Sequence, residues 1–156
     1  MRKFFMFVIL VVLFGMSGCA TVPLADPELS AIAKEFTQPP SDKAGLYIYR
    51  STFAGQALKK DIWVNGICVG QSANDVFFYR EVPGNIEHTI ATESEFSPNE
   101  LKIVGQGGVN YFIEQYIKIG LFVGGADLRI IDPETAKGTI TKLNMAIGGD
   151  CSKPTP

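Results

Sequence analysis

Residues 60–91 read KDIWVNGICVGQSANDVFFYREVPGNIEHTIA, and the punctuation of this stretch decides the fold. Asn65-Gly66 separates 60–64 from 67–70, two short runs rich in residues that favour sheets. Both turn positions tolerate positive φ, which is what a two-residue hairpin demands. Residues 72–75 turn the chain again. Over 76–82 the side chains alternate, with Phe77 and Tyr79 opposite Val76, Phe78 and Val82. Pro83-Gly84-Asn85 is a tight turn, and 86–91 resumes as a strand.

The same period extends outward. Over 44–50, Leu46, Ile48 and Arg50 alternate with Tyr47 and Tyr49. Residues 51–58 form a loop and 93–100 a polar one; 101–104 is a short strand and 105–108 a glycine-rich turn. The longest alternating run is 109–119, with Val109, Tyr111, Ile113, Ile117 and Ile119 on one face. Gly120 interrupts it, 121–123 extends or pairs with it, and 127–131 is the last strand. Short strands at this spacing predict a mainly β protein, an antiparallel β-sandwich or partly open barrel.

Two helix starts flank the strands. Asp26-Pro27-Glu28 offers a capping acid and a proline at the first helical position, and Leu29, Ile32, Ala33 and Phe36 follow at helical spacing. That helix should end near Phe36, before Pro39-Pro40. Asp132-Pro133-Glu134 repeats the signal and predicts a closing helix to about Met145, weakened by Gly138. The helices are expected to cover an end or open edge of the sandwich. The chain thus divides into 1–18, 19–43 with a tether at 21–25 and the first helix, a domain over 44–147, and a flexible tail over 148–156.

The first segment is an export signal by its charge and hydropathy. Arg2 and Lys3 precede an unbroken apolar run from Phe4 to Phe14. That run is shorter than the ~20 residues a membrane-crossing helix needs. Met16-Ser17-Gly18-Cys19 resembles a bacterial lipobox, with Met16 where leucine is usual. The resemblance implies cleavage before Cys19, a diacylglyceryl thioether on its sulfur and an acyl chain on its new amino group. Three chains make a lasting anchor where one does not. Ala20 follows where an inner-membrane retention signal would place aspartate, so the resemblance implies an outer-membrane lipoprotein facing the periplasm. A plain signal peptide followed by a free cysteine is the alternative.

Further motifs lie in the strand region. Val64-Asn65-Gly66, Val69-Gly70, Val82-Pro83-Gly84 and His88 resemble the pattern of PEGA-type β-sandwich modules, with Asn65 in place of the usual aspartate. Together with the lipobox, Tyr47-Ile48-Tyr49-Arg50 and the stretch from Gly108 to Phe112, the chain is similar to the bacterial lipoprotein family catalogued as domain of unknown function 2846. That family carries no established activity, so the resemblance implies no catalytic residues.

Composition narrows the function. Without the first 18 of its 156 residues the chain has 138, enough for one domain with a core. Twelve Lys and Arg then face 16 Asp and Glu, a net charge of −4, with no basic cluster beyond Lys59-Lys60. Nucleic acid is therefore not an expected partner. The expected membrane contact is through acyl chains on Cys19 rather than charge.

Cys68 and Cys151 leave two readings open in an oxidising compartment. A bridge would close a long loop and add about 4 kcal/mol on the chain-entropy account. Otherwise Cys68 is buried in its strand and Cys151 is loose in the tail.

No catalytic constellation, metal site or cofactor motif is expected. His88, the single histidine, shares a face with Ile86 and Ile90 and reads as a structural residue bonded to a turn backbone. Glu87, Glu93, Glu95 and Glu100 read as a solvated edge, and the glycines at 105–108 lack the Lys-Ser/Thr of a phosphate loop. Tyr47, Tyr49, Phe77, Tyr79 and Tyr116 share a face that either binds a partner or lies under the helices. The expected function is a non-catalytic envelope module binding a protein or glycan. The alternative is a small hydrolase or thiol enzyme using Cys68 and His88.

Overall fold

The computed structural model describes residues 19–118, 120 and 124–153. Residues 1–18, which the sequence suggests are an export signal, the run 121–123, Ile119 and the last three residues lie outside them. Among the described residues the order is α1 (Pro27–Ala33), β1 (Lys43–Arg50), β2 (Lys60–Val64), β3 (Ile67–Ser72), β4 (Val76–Pro83), β5 (Ile86–Thr92), β6 (Asn99–Gly105), β7 (Asn110–Lys118), β8 (Gly125–Ile130), α2 (Pro133–Ile140) and β9 (Asn144–Met145).

The strands form two sheets, β8-β7-β1-β4-β9 and β3-β2-β5-β6, packed as a sandwich rather than a closed barrel. It is not wholly antiparallel: β1 pairs antiparallel with β4 but parallel with β7, and β9 runs parallel to β4. The Asn65-Gly66 hairpin joins β2 to β3, with φ of 52° and 75°. Pro83-Gly84-Asn85, by contrast, is a corner that carries the chain from one sheet to the other.

Alternation sorts the core into two layers. Leu46, Ile48, Val76, Phe78 and Ile113 face the second sheet and meet Ile62, Val69 and Ile90 there. Tyr47, Tyr49, Phe77 and Phe112 point the other way and are covered by Ala136, Ile140 and Leu143. Each buried apolar side chain is worth about 1.5–3 kcal/mol, so both faces of the larger sheet contribute.

Both helices start as read: Asp26 accepts from Glu28 N at 2.9 Å and Asp132 from Thr135 N at 3.0 Å. Both stop early. Phe36 leaves the helical region with φ of 53°, and its ring packs on Tyr47 and Phe112 at 5.3 and 5.9 Å. α2 ends at Ile140, and Asn144–Met145 pair instead with Val76 and Phe77. The unpaired edge of β4 offers that segment backbone partners, while Gly138 and the threonines give little reason to stay helical. α1 also turns differently from its apolar spacing. Leu29 and Ile32 remain more than half exposed, while Ser30 is buried and accepts from Met145 N at 3.2 Å.

Neither end of the body hangs free as expected. The tether is fastened: Ala20 N donates to Gln56 O at 2.9 Å, Val22 packs on the core, and Ala25 N donates to Met145 O at 2.8 Å. The tail is tied down through Lys153. Gly149 N donates to Val69 O at 2.9 Å, and a disulfide joins Cys151 to Cys68. The buried Asp61 carboxylate accepts from Ser152 N, Ser152 Oγ and Lys153 N at 3.0, 2.9 and 2.8 Å.

Replacing both bridge cysteines by serine should cost up to about 4 kcal/mol. Urea unfolding of the variant and the parent measures this, and fast amide exchange at Gly149 should accompany the loss. Equal stability would show that Asp61 alone holds the tail.

Candidate functional site

The five aromatics read as a binding face do lie on one face of the larger sheet, from three strands: Tyr47 and Tyr49 on β1, Phe77 and Tyr79 on β4, Tyr116 on β7. They are not an open surface. Tyr47, Tyr49 and Phe77 are at most 3 % exposed because α1, α2 and Leu143 lie over them. Tyr47 stacks on Phe112 at 5.2 Å and meets Tyr79 at 4.6 Å, and its hydroxyl donates to Ala33 O at 2.8 Å. Burial, helped by Tyr79, pushes its phenol well above the usual range. Burial likewise pushes Tyr49 up to about 12. Tyr116 sits beyond the helices, with the Arg129 guanidinium 5.0 Å over its ring, while Arg129 pairs with Glu114 at 2.6 Å.

What stays open is a groove of about 320 Å³ at the rim of this layer, between α1 and the later part of β4. Leu29, Ile32 and Met145 give it an apolar wall; Thr37, Gln38, Tyr79 and Glu81 give it polar groups. Tyr79 Oη donates to Glu81 Oε1 at 3.3 Å, and Lys43 Nζ reaches Glu81 Oε2 at 3.0 Å. An apolar wall with a few oriented polar groups suits a peptide segment or a sugar ring.

The proposed Cys68 and His88 pair is not assembled. Cys68 has its sulfur in the disulfide, so it offers no thiol. His88 is fully buried with both ring nitrogens engaged, Nδ1 with the Asn65 amide at 2.9 Å and Nε2 with Pro83 O at 2.8 Å. A neutral ring with Nε2 protonated satisfies both, donating to Pro83 O and accepting from Asn65 Nδ2. His88 thereby fastens the hairpin to the corner. Among the described residues no group of three or more His, Cys, Asp and Glu is placed to hold a metal ion.

Besides Asp61, buried polar side chains that the sequence did not signal occur in two further places. Arg50 is fully buried at the end of β1, and its fork donates to Leu58 O at 2.9 Å and to Gly55 O, clamping the loop that follows. Desolvation lowers its pKa, yet the guanidinium stays charged far above neutral pH. Alternation had put Arg50 on the Leu46 face, the one available hint. The second is a chain across the interior: Ser72 Oγ donates to Gln115 Oε1, Gln115 Nε2 to Thr92 Oγ1 at 2.6 Å, and Thr92 Oγ1 to Asp61 O at 3.0 Å. Nothing in the spacing marked these residues as partners.

Fold and groove define a small two-sheet β-sandwich with a helix-covered outer face. Residues 40–126 match the family model described as a protein of unknown function, DUF2846. The chain is also 52% identical over 132 residues to an uncharacterized protein of Haemophilus influenzae (strain Rd), covering 85% of this chain and 78% of that one. This chain belongs to the DUF2846 family. No solved structure matches it.

Two measurements probe the covered face. Tyr47→Ala should destabilise the fold by about 3–5 kcal/mol, and Tyr47→Phe by about 1 kcal/mol for the hydroxyl alone. A Tyr47→Ala protein of unchanged stability would contradict a buried ring. Because Tyr49 titrates higher when folded than its ordinary value of 10.0, its stabilising share is complete below that pH and lost as pH climbs toward about 12. Chemical denaturation across that window should show stability falling, and less steeply in Tyr49→Phe.

Proposed function

We propose that this protein is a lipid-anchored envelope module, held by acyl chains on Cys19 in the outer membrane and facing the periplasm. The observation that carries the reading is Met16-Ser17-Gly18-Cys19 after a basic head and an apolar run, placed one residue before the folded body begins at Ala20. Two features support it. Cys19 is exposed, so its sulfur is open to modification, and the Cys68–Cys151 bridge suits an oxidising compartment.

The module's work in this reading is binding rather than catalysis. Its groove beside α1 receives a protein or glycan partner, with Leu29 and Ile32 as apolar contacts. Their exposure supports this role, since apolar helix residues left in water stand ready for a surface to cover them.

The test is made in cells on the wild type, Cys19→Ala and a Leu29→Asp, Ile32→Asp double variant. The wild type should fractionate with the outer membrane and carry lipid mass on its Cys19 peptide, and in-cell crosslinking should capture a partner. Cys19→Ala should lose the membrane fraction. The double variant should stay anchored and folded but lose the partner. Lipid-free Cys19 in the wild type sinks the anchor, and unchanged capture by the double variant sinks the groove.

A further inference from the structure

The end of the sandwich where Cys19 lies has a second property. The β1–β2 loop (51–59), the β5–β6 loop (93–98) and the top of the β7–β8 pair all close there, since β1, β5 and β7 end at it while β2, β6 and β8 begin at it. From this end protrude Phe53, 90% exposed, and Phe96, 77% exposed, each in a different loop. Neither loop is slack. Arg50 clamps the first through Leu58 O and Gly55 O, and Thr52 N donates to Asn74 Oδ1 at 2.9 Å. The second is tied by Ala126 N to Glu93 O at 3.2 Å and by Asn99 Nδ2 to Ala126 O at 2.6 Å. Both rings therefore stand in water on loops that are fastened to the body.

The attachment of the chain adds a constraint on distance. Ala20 N is bonded to Gln56 O in the Phe53 loop, and the Cys19 thiol lies 3.9 Å from Gln56 Oε1. A single residue spans at most about 3.6 Å. An acylated Cys19 thus has no spacer with which to stand the body away from the bilayer. For its chains to enter the hydrocarbon, this end must rest against the headgroups.

We infer that the 51–59 and 93–98 loops form a bilayer-docking end, in which Phe53 and Phe96 insert at the boundary of headgroups and acyl chains beside the lipidated Cys19. The occupant of this surface is phospholipid. The inference rests on the anchor proposed above and adds an orientation to it. Phenylalanine is among the apolar residues that bury at the boundary of headgroups and acyl chains in interfacial segments, and burying one shifts a partition by about tenfold or more.

The experiment places a photoreactive benzoylphenylalanine at position 53, 96 or, as control, 104 in the full-length protein expressed in cells fed labelled phospholipid precursors. Val104 is 64% exposed on the smaller sheet, away from the loops. Irradiation should attach labelled phospholipid at 53 and 96, with a yield about tenfold above that at 104. The mass of the Cys19 peptide is read from the same samples. If Cys19 carries no lipid, the anchor fails and the docking end fails with it. If Cys19 is acylated but 53 and 96 give no more phospholipid adduct than 104, the docking end alone is wrong. Adducts of protein mass at 53 and 96 would overturn it too, by making this end a protein-binding surface.

Discussion

The structure depends on a sheet that must be buried on both faces. β1 sends Leu46 and Ile48 one way and Tyr47 and Tyr49 the other, and none of the four is more than 3 % exposed. An antiparallel sheet of a small protein commonly leaves one face to water. Here the aromatic face forbids it, so a third layer is required. α1, α2 and the segment around Leu143 supply that layer, and the smaller sheet covers the other side. The early ends of both helices follow from the same need. Each stops where further helical turns would carry Phe36 or Leu143 away from the rings they cover.

This explains which parts of the fold were legible in sequence. Strand positions were, because a period of two and the Asn65-Gly66 pair are local properties. The sorting of side chains at 46–49 and 76–82 followed for the same reason. Sheet membership was not: Pro83-Gly84-Asn85 has the chemistry of a tight turn whether the next strand pairs beside β4 or crosses to the other sheet. Nor was the occupant of the aromatic face, since exposure and coverage by helices leave the same alternation. β9 was hidden because two residues carry no period; the open edge of β4 recruits them.

Polar groups fasten the parts that hydrophobic burial leaves loose. Arg50 holds a loop by two carbonyls, Asp61 holds the tail by two backbone amides and a hydroxyl, and His88 joins hairpin to corner. A charge buried without an opposite charge is costly, and the arrangement persists when fixed dipoles answer it. Arg50 and Asp61 meet backbone groups rather than each other, which ties each to one particular segment. That specificity matters at a chain end, where apolar contacts alone would allow several placements. The disulfide and Asp61 act on neighbouring residues of one tail, and Gly149 N gives the edge strand β3 a backbone partner at Val69 O.

In the orientation inferred for the loop end, the strands would point away from the bilayer and the groove would acquire a height. β4 starts at the loop end with Val76 and reaches Tyr79 and Glu81 three to five residues later. At a rise of about 3.3 Å per residue, that sets the groove's polar groups roughly 10–16 Å beyond the loop end. α1 leaves the loop end beside Met145 and runs toward Asn110, whose amide donates to Phe36 O at 3.1 Å, so Leu29 and Ile32 face sideways along the body. A partner lying parallel to the membrane surface would meet that groove without displacing lipid. A body raised on a flexible tether would present it at every angle; one fastened from Ala20, whose N–H donates to Gln56 O, would present it over a narrow range.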